Sequence, residues 1–155
     1  MAKRVVALNE QLAANQAQII DLIHTSKAAA LLDKTGIGPV TVAVVYTAWS
    51  HAGRVRSEAA FAALAGVSPI PASSGNTIRH RLNRGGDRRL NRALHMAVIT
   101  RMTHDPETRA YVERRRAEGR TTKEIRRCLK RYLARQLYRN LESLHAEPNT
   151  KPQAA

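Results

Sequence analysis

Apolar residues recur at helical spacing through most of this chain. Val5, Leu8, Leu12, Asn15, Ile19 and Leu22 follow one another at intervals of 3, 4, 3, 4 and 3, a heptad seam with one polar member. An Asn buried in such a seam fixes the register of paired helices. The seam is under three heptads long, so the same spacing also suits an ordinary amphipathic helix lying on the domain's own core. A helix is predicted to end near Lys34, with Gly36 in the left-handed conformation and Pro39 opening the next helix. Residues 40–49 are rich in β-branched side chains, which makes a strand the runner-up there. Ser57 suits the cap of a short helix through Ala59, Phe61 and Leu64, ended by Gly66.

Residues 67–84 hold Pro69, Pro71 and the turn-forming run Ser73-Ser74-Gly75-Asn76, and are predicted to be an extended loop. After a second break at Gly85-Gly86, Asp87 is placed to cap a helix with Leu90, Leu94, Ala97, Val98 and Met102 on one face. Asp105-Pro106 repeats the cap-and-first-position pattern, Gly119 stops that helix, and Thr121 with Glu124 forms a capping box. The last helix is predicted to bury a stripe running from Ile125 through Cys128, Leu129, Tyr132 and Leu133 to Leu144. The expected fold is all-α, with six or seven helices, a helix-hairpin-helix-like core, an irregular basic loop over 67–86 and a long C-terminal helix. Residues 1–30 form a coiled-coil-like helix in this division, 31–146 the main domain, and 147–155 a frayed tail.

Composition agrees with helices. Of 155 residues 43% are apolar but only 4% aromatic, so the core is built from aliphatic side chains. A single cysteine, Cys128, excludes a disulfide framework and a cysteine-ligated zinc site. No run approaches the ~20 apolar residues of a membrane span, and the start, Met-Ala-Lys-Arg, leads into no apolar signal core. A cytoplasmic protein without a membrane partner is expected.

Charge changes the picture most. The chain carries 26 Lys and Arg against 12 Asp and Glu, a formal charge of +14. Residues 79–139 hold 19 of those cations, 17 of them Arg, and only 6 of the acids. A field this concentrated repels itself unless an anion neutralises it. Arg offers a planar fork that matches phosphate oxygens two at a time. The partner this implies is a nucleic acid, gripped largely by counterion release.

Two constellations could carry chemistry. Gly36-Ile37-Gly38-Pro39 joins two predicted helices, as in helix-hairpin-helix modules, where glycines let a phosphate backbone approach; a tight interhelical turn explains it equally. The second runs from Ser73, Ser74 and Gly75 through Arg79, Arg81 and Arg84 to Arg88, Arg89 and Arg92. Cations in the first turn of a helix oppose its dipole at roughly 0.3–1 kcal/mol each, and a phosphate there would reverse the sign. A serine hydroxyl beside such a clamp is a candidate nucleophile for phosphoryl transfer, although it needs a base or metal to activate it. Taken on composition alone, Ser-Ser-Gly is simply a turn. The six histidines show no metal-ligand spacing, and no cluster of acids able to hold Mg²⁺ is visible.

Several segments occur together in a telling order: Thr35-Gly36-Ile37-Gly38-Pro39, Phe61-Ala62-Ala63-Leu64-Ala65-Gly66-Val67-Ser68-Pro69, Ser74-Gly75, Asn83-Arg84-Gly85-Gly86-Asp87-Arg88-Arg89-Leu90 and Cys128-Leu129-Lys130-Arg131. In this order they resemble the C-terminal domain of the insertion-sequence "one-ten" and "one-sixteen" transposases, the bridge-RNA-guided recombinases. The resemblance implies that 31–146 is a serine-bearing domain acting in DNA transposition, with Ser74 as the residue joined to a DNA phosphate and Ser73 as the fallback. It implies DNA and a guide RNA as partners, and assembly through a coiled coil, here the seam at Val5 to Leu22. It also implies a preceding RuvC-like domain with four metal-binding acids. This chain carries no such segment, so Mg²⁺ is expected only in that domain, no cofactor is expected here, and the isolated chain is expected to be inactive. The nucleic-acid contacts expected are Arg79, Arg81, Arg84, Arg88, Arg89 and Arg92, with Gly36 and Gly38. The alternative is a non-catalytic DNA- or RNA-binding module.

Overall fold

The computed structural model describes residues 2–71, 80, 81, 83 and 85–146. Among these, six α-helices account for nearly all regular structure: α1 Ala2–His24, α2 Pro39–Trp49, α3 Glu58–Leu64, α4 Arg88–His104, α5 Pro106–Ala117 and α6 Thr122–His145. The all-α expectation holds. A single 3-10 turn, Lys27–Leu31, stands between α1 and α2.

Each helix begins where local chemistry allows it. The carboxylate of Asp87 accepts from the backbone N–H groups of Arg89 and Leu90, at 2.7 and 3.0 Å. Ser57 accepts from Ala60 N, and Asp105 from Thr108 N with Pro106 in the first turn. Thr121 and Glu124 close the reciprocal capping box. The β-branched run of α2 is helical because Gly38 and Pro39 start it and Val42, Val45 and Trp49 share one buried face. Tertiary burial overrides the strand preference of such residues.

Three expectations need correcting. The helix predicted to reach Lys34 stops at His24, because Thr25 and Ser26 turn their hydroxyls back onto the carbonyls of Leu22 and Ile23. The loop after Gly66 is not irregular throughout: β1 Ile70–Pro71 pairs antiparallel with β2 His80–Arg81, Ile70 opposite Arg81 and Pro71 opposite His80. Tyr132, placed on the buried stripe of α6, is 58% exposed.

The spine of the domain is α6, which packs on α2, α3, α4 and α5. Phe61, Leu90, Leu94, Leu137 and Leu141 are wholly buried between these helices, each such side chain stabilising the fold by about 1.5–3 kcal/mol. Trp49 is also wholly buried, and its indole N–H donates to Glu142 Oε1 at 2.7 Å, tying α2 to the end of α6. Glu58, at the start of α3, is held by both Arg135 and Arg139 of α6. Its hydrogen bond from Arg135, with the charge of both guanidinium groups, keeps its pKa below the usual carboxylate value. In contrast, α1 packs only by its end. Ile23 is buried and Ile19 half-buried, whereas Val5, Leu8 and Leu12 stand 56, 49 and 65% exposed.

The two ends of the loop come back together in a backbone knot. Gly66 and Gly86 both have positive φ, 65° and 95°. A Cβ on Gly66 would lie 2.4 Å from Gly85 O, and one on Gly86 would lie 2.6 Å from both Gly66 N and Leu64 O. Asp87 N donates to Leu64 O at 2.7 Å across the same contact. Gly66→Ala or Gly86→Ala is therefore expected to cost at least about 1–3 kcal/mol of backbone strain, with the clash added. Gly38→Ala, where a Cβ meets nothing within 4 Å, is expected to be near neutral. Urea unfolding of the three variants checks the contrast.

Candidate nucleic-acid interface

The arginines of the basic segment divide into two groups once their neighbours are known. Arg135 and Arg139 hold Glu58, and Arg115 pairs with Glu118. Arg101 donates through Nε to Thr35 O at 2.8 Å and through Nη1 to Gln136 Oε1 at 3.2 Å, so it closes the Gly36 turn onto α4 and α6. These four are structural. Among the described residues, the remaining arginines of α4, α5 and α6 form no ion pair.

Arg88, Arg89 and Arg92 are exposed on the first turns of α4, with Arg88 and Arg92 one turn apart on the same side. The negative charge of Asp87 already occupies that helix end. It satisfies two of the free N–H groups and offsets the dipole penalty of two neighbouring cations without a ligand. What Arg88 and Arg92 offer is their outward guanidinium groups, not the helix terminus. Arg81 lies in β2, at the paired stem of the loop. Ser73, Ser74, Arg79 and Arg84 lie outside the described residues, as does the 147–155 tail.

The glycines of the helix-hairpin-helix-like turn behave differently from one another. Gly36 packs against α4, where a Cβ would come within 2.7 Å of Ala97 O and 3.2 Å of Arg101 Cγ. Its lack of a side chain serves the fold. Gly38 is exposed and open, at the cap position of α2.

A second basic face flanks the buried stripe of α6. On α6, Lys123, Arg126, Arg127 and Lys130 occupy successive turns of one side, and α6 packs against α4. Lys130 Nζ donates to Asn91 Oδ1 at 3.0 Å, and Asn91 Nδ2 donates to Ala65 O at 2.8 Å. Burial and the charges of Arg127 and Arg126 push the Lys130 pKa down. One turn beyond Asn91, burial, followed by the charges of Lys130 and Arg126, holds the His95 pKa below its usual value. The i, i+4 spacings of Asn91 with His95 and Arg126 with Lys130 are in the sequence; the crossing of α4 and α6 that joins them is not.

Among the described residues, no group of three or more His, Cys, Asp and Glu side chains could hold a metal ion, and no helix is long and apolar enough to cross a membrane. Asp87, Asp105 and Glu124 are engaged at helix starts, and Glu58 is held by arginine.

Residues 28–113 match the model of the family described as "Transposase IS116/IS110/IS902 family". The chain is 33% identical over 123 residues to the insertion element IS110 uncharacterized 43.6 kDa protein of Streptomyces coelicolor, a match covering 78% of this chain and 30% of that relative. It is 30% identical over 122 residues to the insertion element IS900 uncharacterized 42 kDa protein of Mycobacterium paratuberculosis, covering 77% of this chain and 31% of that relative. The chain thus spans under a third of the length of these curated relatives. With more than half of its own residues inside the matched segment, the chain belongs to the IS116/IS110/IS902 transposase family.

Proposed function

We propose that this chain is the strand-gripping, serine-bearing part of a DNA transposase. The observation that carries the reading is the pair of adjoining basic helix faces on α4 and α6, whose cations pair with no acid among the described residues, within a chain of transposase family membership. Phosphate is the counter-charge that suits them, because a polyanion releases condensed counterions as each cation docks. Arg88, Arg89 and Arg92, with Arg79, Arg81 and Arg84, hold the strand. Ser74, or Ser73 in its place, supplies the hydroxyl. Its Oγ bonds to phosphorus as the bond from phosphorus to a sugar oxygen breaks, and the serine proton ends on the released sugar hydroxyl. The described residues offer no ligand set for Mg²⁺, so this reading assigns no metal step to them. A guide RNA would meet the same phosphate-binding chemistry.

The exposed seam of α1 supports assembly with a second copy. Val5, Leu8 and Leu12 face solvent at heptad spacing, and Asn15 sits where it would set register between identical helices. Pairing of this kind removes from water the largest set of exposed apolar side chains on any one helix.

Binding of a fluorescein-labelled 30-base-pair duplex, followed by anisotropy against salt, tests the first part. Affinity is expected to fall steeply with salt, and replacing Arg88, Arg89 and Arg92 by Gln is expected to reduce the log–log slope by about 3, one per lost phosphate contact. Ser74→Ala should leave that binding unchanged. A flat salt response in the parent chain would refute the reading. Sedimentation of the chain should show an oligomer that Leu8→Glu with Leu12→Glu converts to a folded monomer, with helix content by circular dichroism reduced only in proportion to α1.

A further inference from the structure

Two facing pairs of side chains at the crossing of α4 and α6 adjoin the arginines assigned to the strand above but are not among them. Asn91 and His95 stand one turn apart on α4, Arg126 and Lys130 one turn apart on α6, and the 3.0 Å bond from Lys130 to Asn91 joins the pairs. The orientation of the Asn91 amide is forced. An ammonium group has only donors, so Lys130 takes Oδ1 and leaves Nδ2 to meet Ala65 O at 2.8 Å. Lys130 then keeps two N–H donors. Arg126 gives Nε to Thr122 O of its own helix and keeps its outer N–H groups.

Among the described residues, the charged groups that act on Lys130 and His95 are cations of α6. Among the described residues, neither Lys130 nor Arg126 is in an ion pair. Gathering like charges in a half-buried seam is unfavourable without an anion. The seam is also fixed in place, because Asn91 is tied to the residue preceding Gly66 and therefore to the glycine knot.

We propose that Asn91, His95, Arg126 and Lys130 form a site for one phosphodiester group of a nucleic acid strand, with His95 a ligand that binds in its protonated form. The site rests on the nucleic-acid reading above and deepens it, adding an anchor beside the arginines of α4. Arg92 precedes His95 by less than one turn, so a strand lying along Arg88 and Arg92 reaches the seam at its next phosphate.

The sign of the pH effect follows from the charges around the ring. Lys130 and Arg126 face it from α6, α2 contributes no charged residue, and no group of α5 acts on it. These cations and burial hold the free imidazole below its usual 6.5. A phosphate oxygen beside the ring raises its pKa, so binding takes up a proton. Affinity therefore rises as pH falls from above the bound pKa to below the free one, and is flat above that window.

The test is an NMR titration of the His95 ring in the full chain, assigned with His95→Gln, alone and with two probes: a 12-base-pair DNA duplex and a 12-nucleotide single-stranded RNA. A rise of about one unit or more in the His95 pKa on adding either probe is expected, equivalent to about tenfold in affinity across the window. Whichever probe raises it names the strand. Arg126→Gln, which touches only its own helix and leaves the knot intact, should shrink the rise. His95→Gln should remove about tenfold of the affinity gained between pH 7.5 and 5.5. A chain that binds both probes with steep salt dependence while the His95 pKa stays put would overturn this site alone. A chain that binds neither at low salt would overturn the nucleic-acid reading itself.

Discussion

The close passage of Gly66 past Gly85 and Gly86 is the constraint on which the rest of this structure depends. It brings the end of α3 onto the start of α4 across a chain segment that would otherwise be free to part them. Side chains at either position would collide with backbone at under 2.7 Å, so no rotamer change could relieve the contact. Once it is made, Asp87 lands where its N–H meets Leu64 O and its carboxylate caps α4. Asn91, one turn on, then reaches Ala65 O and offers its other amide atom to Lys130 of α6. Three helices and the stem of the loop are thus registered by one backbone contact and one amide.

That registration sorts the positive charge. A helical domain with one excess cation for every dozen or so residues could scatter them over all sides. Here three of the arginines that touch an acid or a carbonyl, Arg135, Arg139 and Arg101, lie where α6 meets α3 and the Gly36 turn. Among those of the described residues in no ion pair, Arg88, Arg89 and Arg92 stand on α4 and Lys123, Arg126, Arg127 and Lys130 on α6, two helices that pack together. A half-buried guanidinium is costly without hydrogen bonds, which accounts for the partners of Arg135 and Arg101. On the proposed reading the second group keeps its donors for a strand, so mutations in the two groups should differ in kind.

How much of this was legible in the sequence depended on range. The caps at Ser57, Asp87, Asp105 and Thr121 need only three or four consecutive residues, and each was found where it was expected. The early stop of α1 was missed because Thr25 and Ser26 do not look like helix breakers; they act by turning their hydroxyls onto the preceding turn. Tyr132 was misplaced because the buried face turns along α6: Leu133, Ala134, Leu137 and Leu141 belong to the main core, whereas Ile125 is buried outside it. Gly36 has the left-handed backbone the spacing implied, but its open side is taken up by α4. That Lys130 and His95 belong together could not be read from the sequence, because it follows from the crossing of α4 and α6.

The exposed seam of α1 and the basic seam of α4 and α6 make sense together through the arithmetic of affinity. One phosphate held by a few partly solvated cations contributes little at physiological salt, since each exposed contact is screened within about 8 Å. Several contacts along one strand multiply, and their joint salt slope grows with every phosphate engaged. A second copy joined through α1 would present its own basic face at a fixed spacing, converting a second binding event into an intramolecular one. The ligand that profits from such an arrangement is a long polyanion and not a free phosphate or nucleotide. On the proposed reading the exposed apolar seam would be covered by another copy, and a strand held by both copies would keep them together.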